Sequence, residues 1–212
     1  MIDKKQFYTL FKKLLGNNRL LTKQLEGFEA SFAEWDLWVA KKWTDNDLRK
    51  LAYILATDWH ESAFTMQPIR EKGGAAYFIK KYWDNLKVRK WLGNLSIQDA
   101  IDFCGKGKPM ITGRGNYAKM GKILGYPLDK KPDLMFNLKI ATEVMFEGMM
   151  SGRSFKGDFT GKQLSNFFNA TTNAPIAART IINGTDRAED IAEIHYLFLE
   201  CLTGKKPIKS GK

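Results

Sequence analysis

Apolar side chains recur at helical intervals along most of the chain. Phe7, Leu10, Phe11, Leu14 and Leu15 share one face, and Gly16-Asn17-Asn18 closes that helix. Leu25, Phe28 and Phe32 predict a second helix. Thr44-Asp45-Asn46-Asp47 reads as a capping box with Asp47 in the place of the usual Glu. The helix after it carries Leu48, Leu51, Ala52, Leu55 and Trp59 on one side and ends near Glu61. Leu138, Ala141, Val144 and Met145 mark another stripe before Gly148. Asp186-Arg187-Ala188-Glu189 reads as a second capping box, ahead of a terminal helix on Ile191, Ile194, Phe198 and Cys201. Strict alternation is nowhere long enough to predict a strand with assurance, and a short β-hairpin between Lys72 and Ile111 stays open. The fold class is therefore mostly α. Gly73-Gly74, Gly105, Gly107, Gly113 and Gly115 lie between helical patterns and read as loops around a site, not as a linker.

Charge changes the picture next. The 34 basic and 23 acidic residues leave a formal charge of +11, which favours a polyanionic partner. No zinc-finger, RNA-recognition or basic-zipper signature is present, so a specific nucleic-acid partner is not expected. No apolar run approaches the length of a membrane span. The N-terminal residues do not read as a secretory signal. Cys104 and Cys201 are expected as buried free thiols, with a bridge between them as the alternative. With 212 residues, the expectation is a single domain over 1–204 and a basic, flexible tail over 205–212.

Several chemistries fail on spacing. A zinc-protease helix needs a second His where Phe64 stands, and His60 and His195 are the only histidines. Neither Gly105-Lys106-Gly107-Lys108-Pro109 nor Gly157-Asp158-Phe159-Thr160-Gly161-Lys162 has P-loop spacing, and no Gly-x-Ser-x-Gly elbow occurs. No metal or cofactor is expected. What remains is a pair of acids. Glu61 closes an apolar helix, and Glu71 follows the break at Pro68. Two carboxylates flanking a turn can cleave a glycosidic bond, one protonating the leaving oxygen and the other activating water or attacking the sugar. Trp59, Ala63 and Phe64 would desolvate Glu61 and favour its neutral form, whereas Arg70 and Lys72 beside Glu71 would favour its charged form.

Four ordered segments carry a resemblance. They are Ala56-Thr57-Asp58-Trp59-His60-Glu61, Met66-Gln67-Pro68-Ile69-Arg70-Glu71, Gly105 to Tyr117, and Ala178-Arg179-Thr180-Ile181-Ile182-Asn183-Gly184. Phe159 to Leu164, preceded by Gly148-Met149 and Gly152, fits as well. Over roughly residues 20–202 the chain resembles the chitinase-like glycoside hydrolases of family 19, in the compact form found in bacteriophage endolysins. The resemblance implies a lysozyme-like, two-lobed helical fold with a central substrate cleft. It implies Glu61 as catalytic acid, Glu71 as second acid, and Thr112 holding the attacking water in an inverting reaction. Asn116, Tyr117 and Asn183 would line the substrate site, with His60 and Arg70 beside the acids. Lys106 replaces the family's usual Arg and loses its planar fork. Met110 replaces the usual Gln and forms no ordinary hydrogen bond.

The function so implied is peptidoglycan hydrolysis by a phage endolysin, at the N-acetylmuramic acid linkage. The alternatives are a chitinase acting on poly-N-acetylglucosamine and an inactive wall-binding module. The partner would be bacterial peptidoglycan and the anionic cell envelope, met by a monomer. Such a protein would accumulate in the host cytoplasm and reach the wall once the membrane is permeabilised. The aromatic set Tyr77, Phe78, Tyr82 and Trp83 reads as core more than as a sugar platform.

Overall fold

A computed structural model describes residues 2–150 and 159–209. Gly152 of the motif set and Lys212 of the basic tail lie outside the described residues. The described residues form ten α-helices: α1 (Lys4–Leu14), α2 (Thr22–Ala40), α3 (Leu48–Glu61), α4 (Ala75–Ile79), α5 (Leu86–Leu92), α6 (Ile97–Asp102), α7 (Arg114–Leu124), α8 (Leu138–Met149), α9 (Pro175–Ala178) and α10 (Ala188–Thr203). Among them none is long and apolar enough to cross a membrane. The chain divides into two compact units, one of residues 1–66 and 145–212, the other of residues 67–144.

The first unit is built on aromatic packing. α3 is buried from Lys50 to Trp59 and packs on α10, which also packs on α1. Phe7 meets Phe28 and Phe32 edge-on at 5.2 and 4.9 Å, and Phe11 meets Trp59 edge-on at 5.4 Å. Such T-shaped pairs set the positive ring edge against the negative face. Both anticipated capping boxes are displaced. Asp47, not Thr44, caps α3, accepting from the backbone N–H of Arg49 at 3.0 Å. The side chain of Arg49 returns to Asp47 and spans to the carbonyls of Asn169 and Thr172, so the cap is tied to a distant loop. At α10 the cap is Arg187, in a left-handed conformation with no side-chain bond, where Asp186 was expected. The basic tail is not wholly free, because Lys209 pairs with Glu193 on α10.

The second unit has shorter helices; Phe78, Tyr82, Leu92, Ala100 and Cys104 form one apolar cluster, and Phe103, Ile111, Met120, Leu128 and Met135 are buried there as well. Its only sheet among the described residues is β1 (Ile69–Arg70) paired antiparallel with β2 (Lys106–Gly107). These strands are distant in sequence, so the pair is not the anticipated hairpin. A local hairpin does close within that window, where Lys106 and Ile111 exchange backbone hydrogen bonds of 3.2 and 3.1 Å. Tyr82 and Phe78 are buried, in line with the core reading, whereas Tyr77 is half exposed. Cys104 and Cys201 are both buried and free.

Candidate active site

In the first unit, Glu61 is the last residue of α3, and its side chain is 15% exposed. The backbone then turns through Ala63, Phe64 and Met66, all with positive φ (52°, 69° and 57°). Each such non-glycine residue costs on the order of 1 kcal/mol or more, and conformations of this kind concentrate at functional sites. The turn is held from outside. Gln24 donates to the Phe64 carbonyl at 3.0 Å, and Ser62 Oγ accepts from the Met66 N–H at 2.9 Å. Gly27 lets the turn approach α2, since a Cβ there would lie 2.2 Å from the Met66 carbonyl oxygen.

The neighbourhood of Glu61 is not the purely apolar one that Trp59, Ala63 and Phe64 suggest. Arg179, only 1% exposed, brings Nη1 to 2.7 Å from Glu61 Oε1, without the alignment of a hydrogen bond. Arg179 starts a short 3₁₀ turn after α9, and its Nε donates to the Asp186 carbonyl at 2.8 Å. Asn183 is exposed and joins this corner through its backbone N–H, which donates to the Arg179 carbonyl at 3.0 Å. His60 sits half-buried on the last turn of α3.

In the second unit, Glu71 is the focus of a polar network. Its Oε2 accepts from the Tyr82 hydroxyl at 2.7 Å and from the Gly105 N–H at 3.2 Å. Its Oε1 accepts from Lys81 at 2.7 Å and from the Tyr77 hydroxyl at 3.3 Å. Burial alone would raise the Glu71 pKa. The bonds from Lys81, Tyr82 and Gly105, with the Lys81 charge, outweigh burial and hold the carboxyl below its usual range. Gly105 leaves room for this approach, since a Cβ there would crowd the Glu71 side chain at 3.2 Å.

The direction agrees with the sequence expectation, but the cause differs. Neither flanking cation is the partner. Arg70 donates Nε to Cys104 Sγ at 3.3 Å and lies over the Phe78 ring, and the charge beside Glu71 comes from Lys81, ten residues on.

Thr112 and Asn116 are adjacent, both partly buried. The Thr112 hydroxyl donates to the Met110 carbonyl at 3.0 Å, and Asn116 Nδ2 donates to the Thr112 carbonyl at 2.7 Å. Tyr117 requires correction as a substrate-contacting residue. It is fully buried, its hydroxyl donates to the Cys104 carbonyl at 2.9 Å, and its ring packs edge-on against Phe103. Lys106 is buried, and its ammonium pairs with Asp133 at 2.5 Å and lies over the Phe136 ring, without the planar fork of a guanidinium. Met110 adopts a left-handed φ of 53°.

Sequence reasoning missed Arg179, Lys81 and Tyr82 as site residues. One signal for Arg179 was available: it is a lone cation between the apolar runs Pro175–Ala178 and Ile181–Ile182. Nothing local distinguishes Lys81 from Lys80.

The fold is that of family 19 chitinases. A bacterial family 19 chitinase matches over 98% of both chains, with a TM-score of 0.58 and 16% sequence identity. Chitinase C from Streptomyces griseus HUT6037 matches over 98% of this chain and 79% of its own, with a TM-score of 0.54 and 15% identity. A mutant of chitinase C gives a TM-score of 0.58 at 16% identity, with the same coverage. No protein-family model and no curated sequence matches the chain.

Proposed function

We propose that this protein is a glycoside hydrolase that cuts the glycan strand of peptidoglycan in the manner of a phage endolysin. The observation that carries the reading is Glu71: a carboxylate held ionised by four converging donors, on a fold shared end to end with a bacterial family 19 chitinase. Glu61 is the proton donor. Its carboxylate becomes anionic as the leaving oxygen takes the proton, and Arg179 stands 2.7 Å away to stabilise that charge.

Glu71 is the base. Four donors fill its lone pairs, so a water must displace one of them. Tyr77 makes the longest of these bonds, at 3.3 Å, and is half exposed, so it yields first. Thr112 Oγ1 donates to Met110 but keeps its own lone pairs, which can accept from the attacking water. Attack on the face opposite the leaving group inverts the anomeric carbon. Asn116, Asn183, His60 and Arg70 are the polar groups available to the sugar and its substituents. The catalytic domain spans 1–204 and acts as a monomer. The protein gathers in the host cytoplasm and reaches the wall after the membrane is opened.

Peptidoglycan is preferred as substrate because its peptide carboxylates attract a chain of net charge +11. Chitin is the second reading, favoured by the chitinases that share the fold. Purified cell walls and soluble chitin oligomers, digested in parallel and analysed by mass spectrometry, separate the two. Muropeptides with new reducing N-acetylmuramic acid ends, released faster than chitin fragments, are expected. Comparable or faster turnover of chitin oligomers would replace the substrate. Retention on walls without any new reducing ends would replace the enzyme with a binding module.

A further inference from the structure

α5 presents a surface that the hydrolytic chemistry does not use. At about 100° per residue, Val88 and Leu92 turn toward one apolar cluster, Leu86, Lys87 and Lys90 turn away from it, and Trp91 lies on the flank. Trp91 is 79% exposed and Leu86 52%. The turn that follows adds Leu95, 77% exposed, and Ile97 at the start of α6.

This is a built surface. The Asn94 N–H donates to the Arg89 carbonyl at 3.1 Å, and the Leu95 N–H donates to Asp99 Oδ2 at 2.7 Å. Asp99 is in turn fixed by Arg114 at 3.1 Å. So Leu95 is held outward by a buried acid. Large apolar side chains fixed outward in one short stretch mark an interaction surface.

The charges around it specify the partner. Residues 80–98 contain Lys80, Lys81, Lys87, Arg89 and Lys90 against a single acid, Asp84, and the next acid, Asp99, is buried and paired. Lys81 is committed to Glu71, and Arg89 stacks on Trp83 at 4.3 Å, leaving Lys80, Lys87 and Lys90 facing solvent. Leu86, Leu95 and Ile97 offer a sugar no hydrogen bonds, which argues against a glycan platform. Indole and aliphatic groups ringed by lysines suit a bilayer interface. Trp settles at headgroup depth, the aliphatic side chains enter the acyl boundary, and the ammonium groups meet anionic headgroups.

We propose that α5 and the turn after it form a docking surface for an anionic phospholipid bilayer. The proposal is independent of the hydrolase reading, because binding to lipid is measured without any glycan present. The intact protein is sedimented with vesicles of phosphatidylglycerol and phosphatidylcholine, and with vesicles of phosphatidylcholine alone. Binding to the anionic vesicles should be stronger and should weaken as salt rises. Trp91→Ala combined with Leu95→Ser should weaken it about ten-fold or more. Lys87→Glu with Lys90→Glu should abolish the preference for anionic vesicles. Brominated acyl chains should quench tryptophan emission in the natural protein and much less in Trp91→Ala.

All four side chains are exposed, so unchanged thermal melts identify folded variants. Equal vesicle binding by the natural protein and the Trp91/Leu95 variant would overturn the proposal, as would indifference to vesicle charge. Loss of retention on lipid-free cell walls by that variant, with vesicle binding intact, would instead make this a carbohydrate surface.

Discussion

Beneath Glu61 the support is hydrocarbon: α3 is buried over three turns against α10, and Phe7, Phe11, Phe28, Phe32, Trp59 and Phe198 interlock behind it, while the Arg179 guanidinium meets the carboxylate itself. Around Glu71 the support is polar: two tyrosine hydroxyls, one ammonium and one backbone N–H. The first arrangement fixes a carboxylate by fixing the backbone beneath it, at the expense of three left-handed residues in the next turn. The second fixes a carboxylate through four hydrogen bonds made to it directly, and these also hold its pKa down. Volume changes should therefore be felt most beneath Glu61, and proton and hydroxyl changes most around Glu71.

The largest test of that contrast is Phe28→Ala. Phe28 is fully buried between Phe7 and Phe11, so truncation should cost about 3–5 kcal/mol in denaturant unfolding, with little dependence on pH. A cost below about 1 kcal/mol would mean the first unit is not held by packing.

One residue in the first unit should break the contrast. His195 is buried among Tyr53, Phe168 and Tyr196, and neither ring nitrogen has a hydrogen-bond partner among the described residues. Burial, with help from the Arg49 charge, lowers its pKa to about 3. The depressed value gives a definite sign. Above about pH 6.5 both folded and unfolded chains hold a neutral ring, and the full stability is present. As pH falls from there, the unfolded chain takes up a proton that the folded chain refuses. Stability should then drop by roughly a few kcal/mol until about pH 3. His195→Phe should flatten this slope in pH-dependent unfolding. An unchanged slope would place the acid sensitivity elsewhere.

Tyr82→Phe should have a smaller effect. Removing the hydroxyl from a partly buried carboxylate should cost about 1–2 kcal/mol at neutral pH. Glu71 titrates below its usual range, so its contribution is present above the ordinary carboxylate pKa and is lost as pH falls through the lowered folded value. The Tyr82→Phe penalty should therefore fade in acid. A penalty that persists unchanged at low pH would show that the hydroxyl matters for packing and not for the charge.

The same contrast explains what could be read from the chain. The long helices α1, α2, α3, α8 and α10 span several turns each, so their apolar stripes are visible, and α3 ends at the residue anticipated. α4, α6 and α9 are four to six residues long, less than two turns, and leave no period to detect. Caps went astray because several polar residues in a row compete for the role, and local backbone geometry chose Asp47 over Thr44. Glu61 and Glu71 stood out by position, but their partners did not. Arg70 and Lys72 flank Glu71 in sequence, yet Lys81 reaches it because the segment carrying Tyr77, Lys81 and Tyr82 folds back over β1. Tyr117 was misread because a polar motif hides the inward-facing side of α7, where its ring and hydroxyl are both spent on the interior.

Glu61→Gln is the most direct single measurement. The amide keeps the shape of the side chain and its place opposite Arg179 but cannot act as the proton donor. Release of new reducing ends from purified cell walls should fall by about 10³-fold, while the unfolding midpoint stays close to that of the natural protein. Reducing-end release at the natural rate from the folded variant would contradict the role of Glu61 as the acid.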